Sequence, residues 1–545
     1  MKKLLVLVII LLSCISISAQ HSKKLERPKL VVGIIVDQMR YDYLTRFYNK
    51  YGDGGFKRLL NDGFNCENAN FNHIPTYTAV GHAAVYTGAT PNIHGIISND
   101  WYDKFLKKSI YCVDDFNYKA VGTNKENEQK SPYRLKTTTI TDELRLAQNM
   151  NNKTISIGIK DRSAVLPGGH TSNGSYWFIG KDEGKFITSS FYMDQLPKWV
   201  NDFNNSGLAT KYVSQKWETL YPISTYTESI ADDNEFEAPF AGEEKPVFPH
   251  DLPNLRDQNL NFDLIKGTPF GNSIVVEFAK AAIKNEKLGK GEFTDFLAIS
   301  FSSPDYIGHR FGVDSKEIED TYLRLDKDIS DFLKYLDAEV GENNYTLFLT
   351  ADHAAVQVPA YLNSLKIPGG YIELNDFQNF ILELMKKHFN STELIENVSN
   401  FQIFLNKEKI TELNLDAKHI AQVLADEIIN CKGVLRVVTA HTLQNTNFTE
   451  GVMKNLQNGY HQKLSGDILI VPNPATISYS RTGSQHGSGF SYDTHVPIIF
   501  YGYGIKKGRS KKYIAITDIA PTLANLLQIE FPNGNTGSII EDALK

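Results

Sequence analysis

The chain has 545 residues, 41% of them hydrophobic and 22% charged, enough to bury a large core. Its formal net charge is −6, and removal of Lys2 and Lys3 with a leader would take it to −8. That balance excludes a basic nucleic-acid-binding surface as the main feature, because no cationic stripe is present to meet phosphates.

Residues 2–19 carry two lysines, an apolar run from Leu4 to Leu12 and then small residues to Ala19. This is the pattern of a cleaved secretory signal peptide, and the apolar core is too short to span a bilayer. Lipid attachment at Cys14 is the weaker alternative. Length allows roughly two to four domains or one large α/β domain with long insertions. Residues 20–545 are expected to be the latter, one catalytic domain with insertions at about 170–262 and 356–480. They show no further apolar stretch of membrane-spanning length, so a soluble periplasmic or secreted protein is expected; its oligomeric state is not fixed by the sequence, and a monomer is the working expectation. Cys66, Cys112 and Cys431 would remain after cleavage, and in an oxidising compartment Cys66–Cys112 is the most economical disulfide.

Lys29 to Val36 is an apolar run of the kind found in a strand buried on both faces, and it ends in Asp37. A carboxylate there sits on the rim where open α/β sheets bind ligands, with a helix cap as the competing reading. Residues 78–88 read as a helix that opens at Thr78, whose hydroxyl and first free N–H groups can face one bound anion. The loop after Pro91 carries Asn99. A helix is expected over Thr137 to Met150, and a strand over Thr154 to Ile159 that leads into Lys160-Asp161-Arg162. In extended geometry Lys160 and Arg162 leave on one side and could clamp a phosphoryl group, or they form a solvated charge cluster. Residues 170–262 look like an excursion packed over the sheet edge, with short strands at Ser175 to Ile179 and Gly184 to Tyr192.

A helix follows from Thr268 to Lys284, then a buried strand from Phe293 to Ser300. Beyond it Asp305 and His309 are four apart, a spacing that suits two ligands of one metal. A long helix is expected within Asp314 to Asp337, and a strand from Tyr345 to Thr350 ends in Asp352-His353. The second excursion has a helix from Asp416 to Ile429 and strands at Val434 to Val438 and Asp467 to Val471. His486 lies between Gln485 and Gly487 in a loop with no apolar partner, which favours ligation. Val496 to Phe500 closes the sheet, and a helix starts near Thr517. The alternation of strands and helices indicates an α/β fold.

Asp37, Asp305, Asp352, His309, His353 and His486 are oxygen and nitrogen donors suited to zinc, and six suffice for two ions. Thr78 beside them is a nucleophile that needs a metal or base for activation. Two metals about 3.5–4 Å apart can stabilise both the attacking and the leaving oxygen of an in-line displacement.

The motifs Ile-Val-Asp37, Pro-Thr-Tyr-Thr78-x3-His, His-Gly-Ile-Ile-Ser-Asn99, Ser-Pro-Asp305-x3-His309, Thr-Ala-Asp352-His353 and Gln-His486-Gly occur together. In them the chain resembles the alkaline phosphatase superfamily, and most closely its phosphate-irrepressible bacterial alkaline phosphatases, relatives of the nucleotide pyrophosphatase/phosphodiesterases. The resemblance implies a mostly parallel central sheet with helices on both faces and long insertions. It implies two Zn2+, one on Asp305, His309 and His486, the other on Asp37, Asp352, His353 and the Thr78 oxygen. Asn99, Lys160 and Arg162 would contact the transferred phosphoryl group. The implied activity is hydrolysis of small-molecule phosphate monoesters through a phosphothreonine, with release of inorganic phosphate. A phosphodiesterase or nucleotide pyrophosphatase on the same core is the alternative, disfavoured by the Lys160/Arg162 pair. An inactive zinc- or phosphate-binding protein is disfavoured by the complete ligand set.

Overall fold

The structure is a computed structural model that describes residues 26–545. The expected signal peptide and Cys14 lie outside the described residues. Numbering in chain order the principal strands of the main sheet and of the insertion sheet, seven precede the second insertion: β1 (Leu30–Val36), β2 (Phe64–Asn70), β3 (Thr154–Gly158), β4 (Gly174–Ile179), β5 (Lys185–Ser189), β6 (Asp295–Phe301) and β7 (Tyr345–Thr350). Within the insertion lie β8 (Ile395–Ser399), β9 (Gln402–Leu405), β10 (Val434–Thr439) and β11 (Ile468–Pro472), and β12 (His495–Gly502) follows it. The main sheet runs β2-β12-β7-β1-β6-β3-β4-β5, with short strands added at both edges.

The centre, β7-β1-β6-β3-β4, is parallel, whereas β12 runs antiparallel to both β7 and β2. Every residue of β1, β6 and β7 is buried. Side chains alternate between faces along a strand, so both faces of the sheet are covered. The parallel order brings the C-terminal ends of β7, β1, β6 and β3 side by side, the edge where such sheets bind ligands.

The helices that matter for this edge are α1 (Thr78–Thr87), α2 (Asp161–Gly168), α3 (Phe270–Glu286), α4 (Ser303–Phe311) and α5 (Lys316–Glu339). α1 has a glycine, Gly81, where a Cβ would lie 2.0 Å from the Asp352 carbonyl oxygen. Only glycine lets this helix approach the end of β7 so closely.

Three expectations change. Residues 170–262 do not merely cover the sheet edge, because β4 pairs in parallel with β3 and β5 continues the sheet. The helix expected over Thr137 to Met150 is confined to Ile140–Ala147, where Thr139 and Asp142 close a capping box. The Cys66–Cys112 disulfide is absent. All three described cysteines are free, with Cys66 in the central core and Cys112 in a separate apolar cluster. The second insertion folds into an antiparallel sheet, β8-β9-β11-β10, with its own core against the helices Leu374–Phe389 and Ala417–Ile428.

Candidate metal and phosphoryl site

Asp37 follows β1, Lys160 follows β3, Asp305 lies in the first turn of α4 after β6, and Asp352 and His353 follow β7. His486 comes from the loop that returns the chain from the insertion to β12. Thr78 is the first residue of α1 and buried.

Two groups of donor atoms converge here. One is Asp305, His353 and His486, the other Asp37, Asp352 and His353, each with its atoms within 4.8 Å of one another. His353 Nε2 lies 3.5 Å from Asp37 Oδ1 and 3.6 Å from Asp352 Oδ2. All three atoms are buried and have no hydrogen-bond partner. Buried polar atoms are rarely left so, and three facing each other fit a cation. His309 Nε2 and His486 Nε2 lie 3.1 and 3.5 Å from Asp305 Oδ1.

The imidazoles are oriented from behind. Nδ1 of His309 donates to the Ser484 carbonyl, that of His353 to the Ala354 carbonyl, and that of His486 to the Thr76 carbonyl. A carbonyl can only accept, so each ring keeps a proton on Nδ1. Neutral His353 and His486 then turn a lone pair on Nε2 inward, whereas Asp305 overcomes burial and raises His309, favouring its charged form in the absence of a metal. Burial drives His353 well below the usual histidine range and His486 down to about 3, which keeps both neutral. Neutral imidazole is the form that binds metals.

The carboxylates are crowded. Burial, then Asp305 and Asp352, push Asp37 well above the ordinary carboxylate range, and burial lifts Asp352 to about 7. Burial also works against the Asp305 carboxylate, but His309 and Lys160 outweigh it and hold the group well below its usual range. Three buried carboxylates meet one buried ammonium. Lys160 Nζ donates to Asp37 Oδ2 at 2.7 Å and to Asp305 Oδ2 at 2.5 Å, and lies 3.4 Å from Thr78 Oγ. This excess of negative charge is the electrostatic counterpart of the unpartnered donors, and divalent cations would balance it.

Lys160 and Arg162 do not share an extended strand. Lys160 is the extended residue before α2, and Arg162 is already helical. Both nevertheless line one cavity of about 240 Å3, together with Tyr111, Lys266 and Tyr306. Arg162 donates to the Tyr111 hydroxyl at 2.9 Å, and that hydroxyl donates to Asp161 at 2.5 Å. Burial opposes the Arg162 charge, but Tyr111 and Asp161 overcome it. Asn99 Oδ1 accepts the Ala79 N–H at 2.9 Å, which turns the Asn99 NH2 group away from the helix. That bond also uses one of the N–H groups expected to be free at the start of α1.

Three contributors were not singled out from sequence. Gln38 donates from Nε2 to Asp305 at 2.7 Å and from its backbone N–H to Asp352 at 3.2 Å, with a left-handed φ of 64°. His82 Nδ1 donates to the Thr78 carbonyl at 2.8 Å and lies 3.4 Å from Asp352 Oδ2. Tyr111 holds Arg162. His82 closes one quoted motif and Gln38 directly follows another, whereas nothing in the sequence around Tyr111 ties it to residue 162.

The profile of the type I phosphodiesterase / nucleotide pyrophosphatase family matches residues 31–496. The chain belongs to this family. Among family relatives, alkaline phosphatase PhoV of Synechococcus elongatus is 45% identical over 100% of both chains. A Myroides odoratus protein named calcium-transporting ATPase is 45% identical over 97% of both. Alkaline phosphatase PafA of Elizabethkingia meningoseptica is 42% identical, over 97% of this chain and 96% of its own. The crystal structure of wild-type PafA superposes with a TM-score of 0.93 at 41% identity, covering 96% of this chain and 100% of that one. No helix among the described residues is long and apolar enough to cross a membrane.

Proposed function

We propose that this member of the family is an alkaline phosphatase that hydrolyses phosphate monoesters, with Thr78 as the nucleophile. One observation carries the reading. Lys160 Nζ reaches one carboxylate from each donor group, Asp37 and Asp305, and the Thr78 hydroxyl as well. Full-length relatives named alkaline phosphatase support the activity.

Asp305, His309 and His486 would hold one metal ion and Asp37, Asp352 and His353 the other, zinc being the ion that best suits this set of imidazoles and carboxylates. When bound, the two ions supply Lewis acidity at the attacking and leaving oxygens. The rest is done by the chain. α1, held against Asp352 through Gly81, fixes the Thr78 oxygen for in-line attack on phosphorus. A P–O bond to Thr78 forms as its hydroxyl proton is lost to solvent and the ester P–O bond breaks; the leaving oxygen keeps the electron pair and takes up a proton from water to become the free alcohol. Water then hydrolyses the phosphothreonine and releases phosphate. The transition state is loose, with charge spread over three equatorial oxygens. Lys160, Arg162 and the Asn99 NH2 group would receive these oxygens, and a diester would spend one of those positions on a neutral substituent.

We read residues 20–545 as one catalytic unit, and the leader-like residues 2–19 support export. The mechanism is tested by acid quenching the enzyme during turnover of an aryl monoester and mapping phosphate on its peptides. Label on Thr78, absent from a Thr78→Ala variant that still binds metal, is expected. Normal turnover by that variant would overturn the assignment.

A further inference from the structure

The second insertion reaches the site through the turn between β8 and β9. Asn400 and Phe401 are its two central residues, both left-handed with φ of 51° and 55°. A turn of this kind takes Asn-Gly most readily, and a bulky residue in the second place is strained. The turn is pinned rather than free. Asn400 Nδ2 donates at 2.7 Å to the carbonyl of Asp100, the neighbour of Asn99, and the Phe401 carbonyl accepts the Ile470 N–H at 2.9 Å.

Phe401 lines a cavity of about 230 Å3 whose other walls include Leu374, Ile477, Tyr492, Tyr77 and His486. Tyr77 precedes the nucleophile, and its ring meets the His486 ring edge-on at 5.6 Å. Leu374 is 49% exposed although it faces this cavity. The cavity shares no lining residue with the cationic one that contains Lys160 and Arg162. The cationic cavity adjoins Thr78 through Lys160, and this one through the neighbouring Tyr77, with apolar walls at Leu374, Phe401 and Ile477 beside polar ones that include Gln485 and Asp493.

We propose that this cavity is the subsite for the alcohol portion of the ester, and that Phe401 and Leu374 make the enzyme prefer monoesters of planar aromatic alcohols. The proposal rests on the phosphatase reading above. The charged oxygens are taken by Lys160, Arg162 and Asn99, so the alcohol is directed past His486 and Tyr77 into the space that Phe401 closes. The volume is below the roughly 300–1,000 Å3 typical of pockets for drug-sized ligands, which suits one aromatic ring rather than a nucleoside. A ring there would be offered the faces and edges of Tyr77 and Phe401. The strain at Phe401 is consistent with a side chain kept for its ring, since glycine would build the turn more easily.

The test uses phenylphosphonate and methylphosphonate, which cannot be hydrolysed as monoesters, titrated calorimetrically into the metal-loaded enzyme. Burying one ring predicts at least about tenfold tighter binding of the phenyl compound to the wild-type protein. In Phe401→Gly the preference should fall to within about threefold of unity; glycine relieves the turn but the ring also packs against the insertion's core, so circular dichroism is recorded beside the titration to show that the variant is folded. Leu374→Ala, at a half-exposed position, should shrink it in the same direction without a folding defect. The kcat/KM ratio for phenyl over methyl phosphate should follow the binding ratio. Equal binding of both phosphonates to wild type, or a preference untouched by both variants, overturns the subsite. A wild-type enzyme that binds neither and releases no phosphate overturns the phosphatase reading, and this one with it.

Discussion

Lys160 Nζ lies 2.5 Å from Asp305 Oδ2, and this ion pair is buried at the end of three parallel strands. It ties α4 to the residue that opens α2, and through Asp37 it ties both to β1. The same ammonium is positioned beside the Thr78 hydroxyl, so one cation both orders the carboxylates and faces the proposed nucleophile.

Replacing Lys160 or Arg162 by Ala should lower kcat/KM for an aryl monoester by about 10²–10³-fold, the usual cost of removing one donor to a transition-state oxygen. The matching diester should lose much less. Equal losses for the two substrates would contradict the clamp.

Metal removal should reach beyond activity. Chelation leaves Asp37, Asp305 and Asp352 crowded around a single ammonium, so both turnover and Tm should fall, and added zinc should restore both. Metal analysis of the restored enzyme should give about two ions per chain, one for each donor group.

Gly81→Ala places a Cβ where the Asp352 carbonyl stands 2.0 Å away. Helix α1 must shift, and displacement of a reacting group by about 1 Å can cost on the order of 100-fold in rate. A folded variant with kcat reduced at least about tenfold is the expected outcome, read by steady-state kinetics beside circular dichroism.

Stability should also fall at alkaline pH for a reason remote from the site. His250 is buried between Glu243 (2.8 Å) and Glu317 (3.3 Å); burial opposes its charge, but these carboxylates raise it to about 9. A histidine whose folded pKa exceeds its unfolded value stabilises fully below about 6.5 and loses that contribution as pH rises through about 9. His250→Gln leaves buried carboxylates without their partner and should cost roughly 3 kcal/mol at pH 6. The gap between wild-type and variant Tm should narrow toward pH 10, and a gap independent of pH would contradict this account.

Much of the candidate site was legible because its donor residues follow unmistakable strands. Asp37 and Asp352 end runs that bury every residue, and Asp305 and His309 share one face of α4 by their spacing. Other features had no local signature. Antiparallel β12 reads like its parallel neighbours, since both kinds are buried on both faces. Arg162 reaches the site from the first turn of a helix rather than a strand, held by Tyr111, which is 51 residues away in sequence. The cysteine pairing failed because proximity in sequence said nothing about which apolar cluster each thiol enters. Likewise, nothing in the polar stretch around Asn400 indicated that this turn would dock beside Asn99.

The most direct test of the central claim is kcat/KM for one aryl phosphate monoester and its matching diester, in zinc buffer at mildly alkaline pH. The account predicts a large preference for the monoester, lost when Lys160 and Arg162 are replaced. A preference for the diester would leave the fold and the donor groups in place but contradict the assignment of Lys160, Arg162 and Asn99 to three charged phosphoryl oxygens.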